Sequence, residues 1–278
     1  MKVNTIMLCA CGTSINIIAG YLYALIENNI LEKDYNNIKR FIGCSSGSIV
    51  ALLMSIGIPI NVMYNISDRM NYSTLLDINN LDNLFDNTGL FDTINIKNTI
   101  DNILEKFHIK KNTTFLELHN KTNNKLIIKV YNLSLNKEVY ISYKNYPDMP
   151  VSLAICMSSA IPFLFKPVVY NDYLFVDGAI NGGTPVIEKY KNYISITIVN
   201  SEILLLNNLT FHKYIGRLIQ STNNKYSNFE FNNNKRNVII KTKLNMSINF
   251  SIESIKKKED LINGYNQTIK HINKYNIK

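Results

Sequence analysis

The chain has 278 residues, 46% of them hydrophobic, which is enough to bury a sizeable core, and it reads as a single domain over residues 1–278. A net charge of +9 favours anionic surfaces in general, but only 18% of residues are charged, clusters such as Lys110-Lys111 are short, and no recognition motif accompanies them, so no nucleic-acid partner is expected. Cys9, Cys11, Cys44 and Cys156 lack disulfide-framework or zinc spacing, so reduced intracellular thiols, no metal and no cofactor are expected.

Two β-turn-α units open the chain. Residues 4–10 form an apolar run expected as a buried strand, Cys11-Gly12-Thr13-Ser14 a tight turn that exposes backbone amides, and 15–28 an apolar-periodic helix. Residues 40–43 supply a second short strand. It breaks at Gly43-Cys44-Ser45-Ser46-Gly47, a Gly-x-Ser-x-Gly sequence, and 48–57 resume as a buried helix. In a nucleophile elbow the serine sits on a strained strand-to-helix turn, so Gly43 and Gly47 are expected to keep the backbone clear of Ser45 and of an arriving substrate. The amides at the helix start face developing negative charge. Two such units suggest a parallel sheet with helices on its faces.

Residues 61–112 interleave Asn and Asp with Leu, Ile, Phe and Tyr, including a helical pattern over 93–107, and are expected as a cap or lid whose apolar side chains line a site for a greasy substrate. Strands are expected at 125–133 and 138–143, a small-residue helix at 152–160, and a strand at 173–176 that ends on Asp177-Gly178-Ala179. A carboxylate at a strand's C-terminal end stands where open parallel sheets gather catalytic groups, although Asp-Gly by itself is a turn signal. Further strands are expected at 193–199, 237–242 and 246–252, and a closing helix at 257–275; 201–236 carries no assignable pattern. The longest apolar segment, 49–64, is interrupted by Gly57, Pro59 and Asn61 and falls short of the roughly twenty residues that span a bilayer. A soluble, cytoplasmic protein in transient contact with membranes is expected. His108, His119, His212 and His271 stand in no triad motif and are expected at the surface or in caps.

Taken in order, the glycine-containing loop, Gly43-Cys44-Ser45-Ser46-Gly47 and Asp177-Gly178-Ala179 resemble the patatin-like phospholipases, which hydrolyse acyl esters with a Ser-Asp dyad. Gly89-Leu90-Phe91-Asp92, Thr114-Phe115-Leu116-Glu117-Leu118, the run from Ala154 to Pro162 and Phe165-Lys166-Pro167-Val168 look like the same family, so that the likeness covers roughly residues 5–200. The resemblance implies a three-layer α/β fold with a mostly parallel sheet. It also implies a phospholipid or other acyl-ester substrate met at a membrane surface, Ser45 as nucleophile, Asp177 as general base, and an oxyanion hole from Cys11, Gly12 and Thr13 assisted by Ser46. The family's loop usually reads Gly-Gly-Gly-x-Arg/Lys-Gly. Here one of three consecutive glycines, Gly12, is present, Ser14 replaces the basic residue and Ile15 the last glycine. The competing reading is a protein of the same fold that binds lipid or acts as a scaffold without turnover.

Overall fold

Runs of three to eight residues, most of them apolar, become the strands of one eight-stranded sheet. The computed structural model describes residues 1–76, 88–200, 235–242 and 253–277, together with Leu205, Leu206, Tyr214, Arg217, Leu218 and Phe250. In chain order the elements are β1 (Thr5–Leu8), α1 (Ile15–Glu27), β2 (Arg40–Cys44), α2 (Ser46–Ser55), α3 (Ile60–Arg69), a 3-10 turn (Tyr72–Leu75), β3 (Gly89–Phe91), α4 (Ile94–Lys106) and α5 (Phe115–Thr122). There follow β4 (Lys125–Asn132), β5 (Lys137–Ile141), α6 (Val151–Ser159), β6 (Phe163–Phe165), β7 (Val168–Tyr170), β8 (Tyr173–Asp177), a second 3-10 turn (Gly178–Asn181), β9 (Tyr193–Asn200), β10 (Asn237–Thr242) and α7 (Ser254–Tyr275).

The main sheet runs β10-β9-β1-β2-β4-β8-β7, with β5 on the other edge of β4. From β10 to β4 every pairing is parallel, whereas β5, β7 and β8 join antiparallel. A short parallel pair, β3 with β6, stands apart. Side chains alternate between faces along each strand. Ile6, Leu8, Phe41, Leu126 and Ile128 enter the large core, while Met7, Ile42 and Ile127 form a smaller cluster covered by Tyr140, Ile187, Tyr190 and Tyr193.

Several expectations change. Helix α2 begins at Ser46, immediately after the elbow serine, rather than at 48. The connection at 163–170 contains β6 and β7, and the strand carrying Asp177 is antiparallel to its neighbour rather than one of the parallel set. His271 is buried on α7, not at the surface. The strand expected at 246–252 and the unassigned stretch 201–234 lie almost entirely outside the described residues.

Helix α7 closes the fold by crossing α1 at two glycines. A Cβ on Gly20 would strike the Leu261 carbonyl, and one on Gly264 would strike the Ile17 carbonyl. Backbone meets backbone here, so a methyl group has no flexible neighbour to displace. Gly264→Ala is expected to lower stability by about 1–3 kcal/mol, the usual cost of overpacking. Urea unfolding measures it, and an unchanged midpoint refutes the close crossing.

Candidate active site

Strands β2 and β8 occupy the same edge of β4, end to end. Cys44 is registered with Lys129 and Asp177 with Val130, and the two strands run toward each other. Their C-terminal ends therefore meet within one residue step on β4, about 3.3 Å. Cys44 Sγ lies 4.0 Å from Asp177 Oδ1, and the neighbouring Ser45 hydroxyl is near enough to the Asp177 carboxylate to favour its charged form.

Ser45 has φ +51 and ψ −128, a conformation that is strained for any residue with a side chain and that persists only where its surroundings enforce it. The surroundings do so. Its N–H donates to Ser158 Oγ at 2.8 Å, Ser158 Oγ donates to the Lys129 carbonyl at 2.7 Å, and the Ser48 amide donates back to the Ser45 carbonyl at 2.8 Å. Gly43 and Gly47 serve backbone packing more than clearance for substrate. A Cβ on Gly43 would collide with the start of α2, and one on Gly47 would meet the carbonyls of Leu8, at the end of β1, and of Cys9 just past it at 2.5 Å.

Asp177 is 3% exposed. Burial lifts its carboxyl from the ordinary aspartate range to about 6, held back by the Ala179 amide, the Ser45 hydroxyl and the positive charge of Lys129. The Ala179 N–H donates to Oδ1 at 2.8 Å, and the Asp177 N–H donates to the Ala160 carbonyl at 2.9 Å. Gly178 follows because its α-carbon lies against the Lys129 carbonyl.

Lys129, 1% exposed, was not among the expected site residues. Its ammonium donates to the carbonyls of Asn181 at 2.8 Å and Gly182 at 2.7 Å, and Glu138 Oε2 lies 3.4 Å away. The next carbonyl, Gly183, accepts the Ala10 N–H at 2.9 Å, at the head of the glycine-containing loop. One residue thus ties the elbow, the Asp177 turn and that loop together. The available signal was a lone lysine inside the apolar strand Leu126-Ile127-Ile128-Lys129-Val130; Ser158, in a helix of small residues, offered none.

In the loop, Gly12 takes φ +54, where glycine alone is unstrained. The Cys11 N–H, expected to face the reaction, instead donates to Ser46 Oγ at 3.0 Å, with Cys11 Sγ 3.1 Å from the same oxygen. Cys11 and the Ser46 hydroxyl therefore fasten the loop to α2. Burial pushes the Cys11 thiol up to about 12, so it stays neutral. Thr13 and Ser14 are buried beside it.

Beyond α2 lies an apolar cleft between α1, α2, α3 and α4, lined by Ile15, Ile49, Leu53, Met63, Ile96 and Ile100. Ile49 stands one helical turn after Ser45. Two of the four walls come from the segment expected as a cap, of which 77–87 lie outside the described residues. No described histidine bonds to Ser45. His119 Nδ1 is 2.8 Å from the Asn124 carbonyl, His271 Nε2 is 3.5 Å from the Lys235 carbonyl, and His108 is exposed; His212 lies outside the described residues. Among the described residues no group of three or more His, Cys, Asp or Glu is placed to hold a metal ion. Lys129→Ala is expected to cost about 2–4 kcal/mol, because it strands two carbonyls and Glu138. Chemical denaturation checks this, and a loss below about 0.5 kcal/mol, typical of a surface lysine, overturns it.

Residues 6–188 match the family model of the patatin-like phospholipases. The chain is 33% identical over 171 residues, 59% of its length, to the protein named probable lipid hydrolase 463L of Invertebrate iridescent virus 6. It is 30% identical over 172 residues, 61% of its length, to an uncharacterised protein of Acanthamoeba polyphaga mimivirus. These matches span 58% and 55% of the two viral proteins. In fold the chain is similar to VipD from Legionella pneumophila, with a TM-score of 0.67 at 14% identity over 99% of this chain and 67% of that one. It is also similar to the type III effector ExoU of Pseudomonas aeruginosa, with a TM-score of 0.59 at 13% identity over 100% of this chain and 54% of that one. With the family model covering well over half of the sequence and the same three-layer arrangement in the structure, the chain belongs to the patatin-like phospholipase family.

Proposed function

We propose that the protein hydrolyses fatty acyl esters of phospholipids and related lipids, with Ser45 as nucleophile and Asp177 as general base. One observation carries the reading: a strained elbow serine stands at the meeting point of β2 and β8 beside a buried carboxylate whose pKa is raised toward neutrality. A serine hydroxyl is a poor nucleophile until a base takes its proton, and a base tuned near working pH does so best.

Ser45 Oγ attacks the ester carbonyl while its proton passes to Asp177. The tetrahedral oxygen accepts hydrogen bonds from the amides of Gly12, Thr13 and Ser46, each donor worth about 3–4 kcal/mol in the transition state. Collapse expels the alcohol, which takes the proton from Asp177, and leaves an acyl-enzyme. Water then gives a proton to Asp177 and its oxygen to the acyl carbon, and Asp177 passes that proton to the departing Ser45 Oγ, releasing the fatty acid and restoring both residues. The apolar cleft beginning at Ile49 receives the acyl chain. Among the described residues no helix is long and apolar enough to cross a membrane.

Fatty-acid release from vesicles of mixed phospholipid and neutral ester tests the assignment. Ser45→Ala and Asp177→Asn are each expected to reduce the rate at least about 10³-fold. Equal background from all three proteins sinks the hydrolase and leaves a lipid-binding protein. The base must be ionised to act, so kcat/KM is expected to rise with pH through a midpoint near 6.

The same carboxyl sets a stability change of known sign. Its pKa is higher in the folded chain than in the unfolded one, so its contribution to stability is fully present below about 4 and is lost as pH rises through 6. Asp177→Asn is therefore expected to stabilise the fold at pH 8 by about 2–3 kcal/mol while abolishing turnover, with the advantage gone by pH 4. Urea midpoints at the two pH values measure this, and a variant less stable than the parent at pH 8 contradicts it.

A further inference from the structure

Strands β9, β1, β2 and β4 begin side by side, with Thr5 registered against Tyr193 and Arg40, and Arg40 against Lys125. Ser45 lies past the other end of β2, five residues or about 16 Å from Arg40. At this opposite end three cations gather on one ring. Arg40 Cζ is 4.6 Å, Lys189 Nζ 5.5 Å and Lys125 Nζ 5.9 Å from the centre of Tyr190. Lys125 also lies 5.8 Å from the centre of Tyr143, whose sequence neighbour is Lys144.

Among the described residues none of Arg40, Lys125, Lys144 and Lys189 enters an ion pair, and Glu188 on the same loop is exposed and forms none. Arg40 is oriented by two neutral acceptors, with Nε donating to Thr5 Oγ1 and Nη2 to Asn4 Oδ1, each at 2.9 Å. Sharing Tyr190 holds three like charges within roughly 12 Å of one another, where dilute salt screens them only partly. The ring attracts each cation weakly and cancels no charge. Burial, followed by Lys144, Lys189 and Arg40, holds the Lys125 ammonium below its usual range, so the repulsion is felt at that site.

We propose that this edge of the sheet binds an oligophosphate anion at a site separate from the ester-hydrolysing centre. With Nε and one Nη2 hydrogen of Arg40 already used, its remaining guanidinium N–H groups, flanked by the lysine point charges, suit phosphate oxygens, and three cations around one ring call for more than one phosphate group. Nucleic acid fits less well. Tyr190 is already a platform for cations and Tyr143 is stacked on His119 at 3.8 Å, so neither ring is left for a nucleobase. The phosphates belong either to a soluble molecule or to a phosphorylated inositol lipid headgroup, and the site stands independently of the hydrolase reading.

Calorimetric titration of the full chain with inorganic tripolyphosphate tests the proposal. Binding is expected to be saturable, to weaken with added NaCl, and to fall at least about tenfold in Lys125→Gln/Lys189→Gln, since each charge-assisted contact is worth 1.5–3 kcal/mol. Lys189→Gln alone, at an exposed side chain, should shift affinity in the same direction without risk to folding, and Lys106→Gln, on α4, should not. Sedimentation with phosphatidylcholine vesicles, with and without phosphatidylinositol bisphosphate, separates the sources: retention only on the phosphorylated vesicles assigns a headgroup, and no retention a soluble anion. Absence of tripolyphosphate binding, equal loss in Lys106→Gln, or tight binding of single-stranded RNA that tripolyphosphate does not displace overturns the site.

Discussion

The buried ammonium of Lys129 is the contact on which the site's geometry depends. A charge at 1% exposure is tolerated only with its hydrogen bonds satisfied, and this one donates to two carbonyls of the turn after Asp177. The same residue accepts from Ser158 through its own carbonyl, and Ser158 in turn accepts the Ser45 N–H. Three segments far apart in sequence are thereby held to one strand position, the middle of β4. Positioning of this kind matters because a misplacement of about 1 Å between reacting groups can cost 10²-fold in rate.

Two strained or unfavourable choices sit on that support. Ser45 occupies positive φ without being glycine, and Asp177 keeps a carboxylate at a buried position. Neither benefits folding. The head-on meeting of β2 and β8 brings the two together on one edge of β4. Lys129 opposes the second cost only in part: its charge lowers the Asp177 pKa, but burial outweighs it and the value remains near 6. A stronger ion pair there would leave a weaker base.

Much of this is legible in the sequence wherever the constraint is local. Gly43, Gly47 and the apolar stretches around them announce a strand-turn-helix, because close backbone approach requires glycine at those spacings. The closing helix is legible by its period, although the stripe Gly264, Thr268, His271 and Ile272 faces the core and takes His271 with it. What sequence hides is pairing. Nothing in Tyr173–Asp177 marks the strand as antiparallel, because direction is decided by contacts with Val130 and Asn132 rather than by its own residues. Strands β6 and β7 are masked by Lys166 and Pro167 between them, and the destination of the Cys11 amide depends on Ser46, 35 residues away.

The altered glycine loop is best understood by asking which glycine the geometry needs. Among Ala10, Cys11 and Gly12, only Gly12 takes positive φ, and it is the one present. Ala10 has its N–H bonded to Gly183, and Cys11 its N–H bonded to Ser46, so both sit in paired backbone where a side chain is tolerated. The Cys11 side chain then adds a buried contact with Ser46 that glycine cannot make. Two glycines have been exchanged for anchoring, while the conformational requirement of the loop is met at the single position that imposes it.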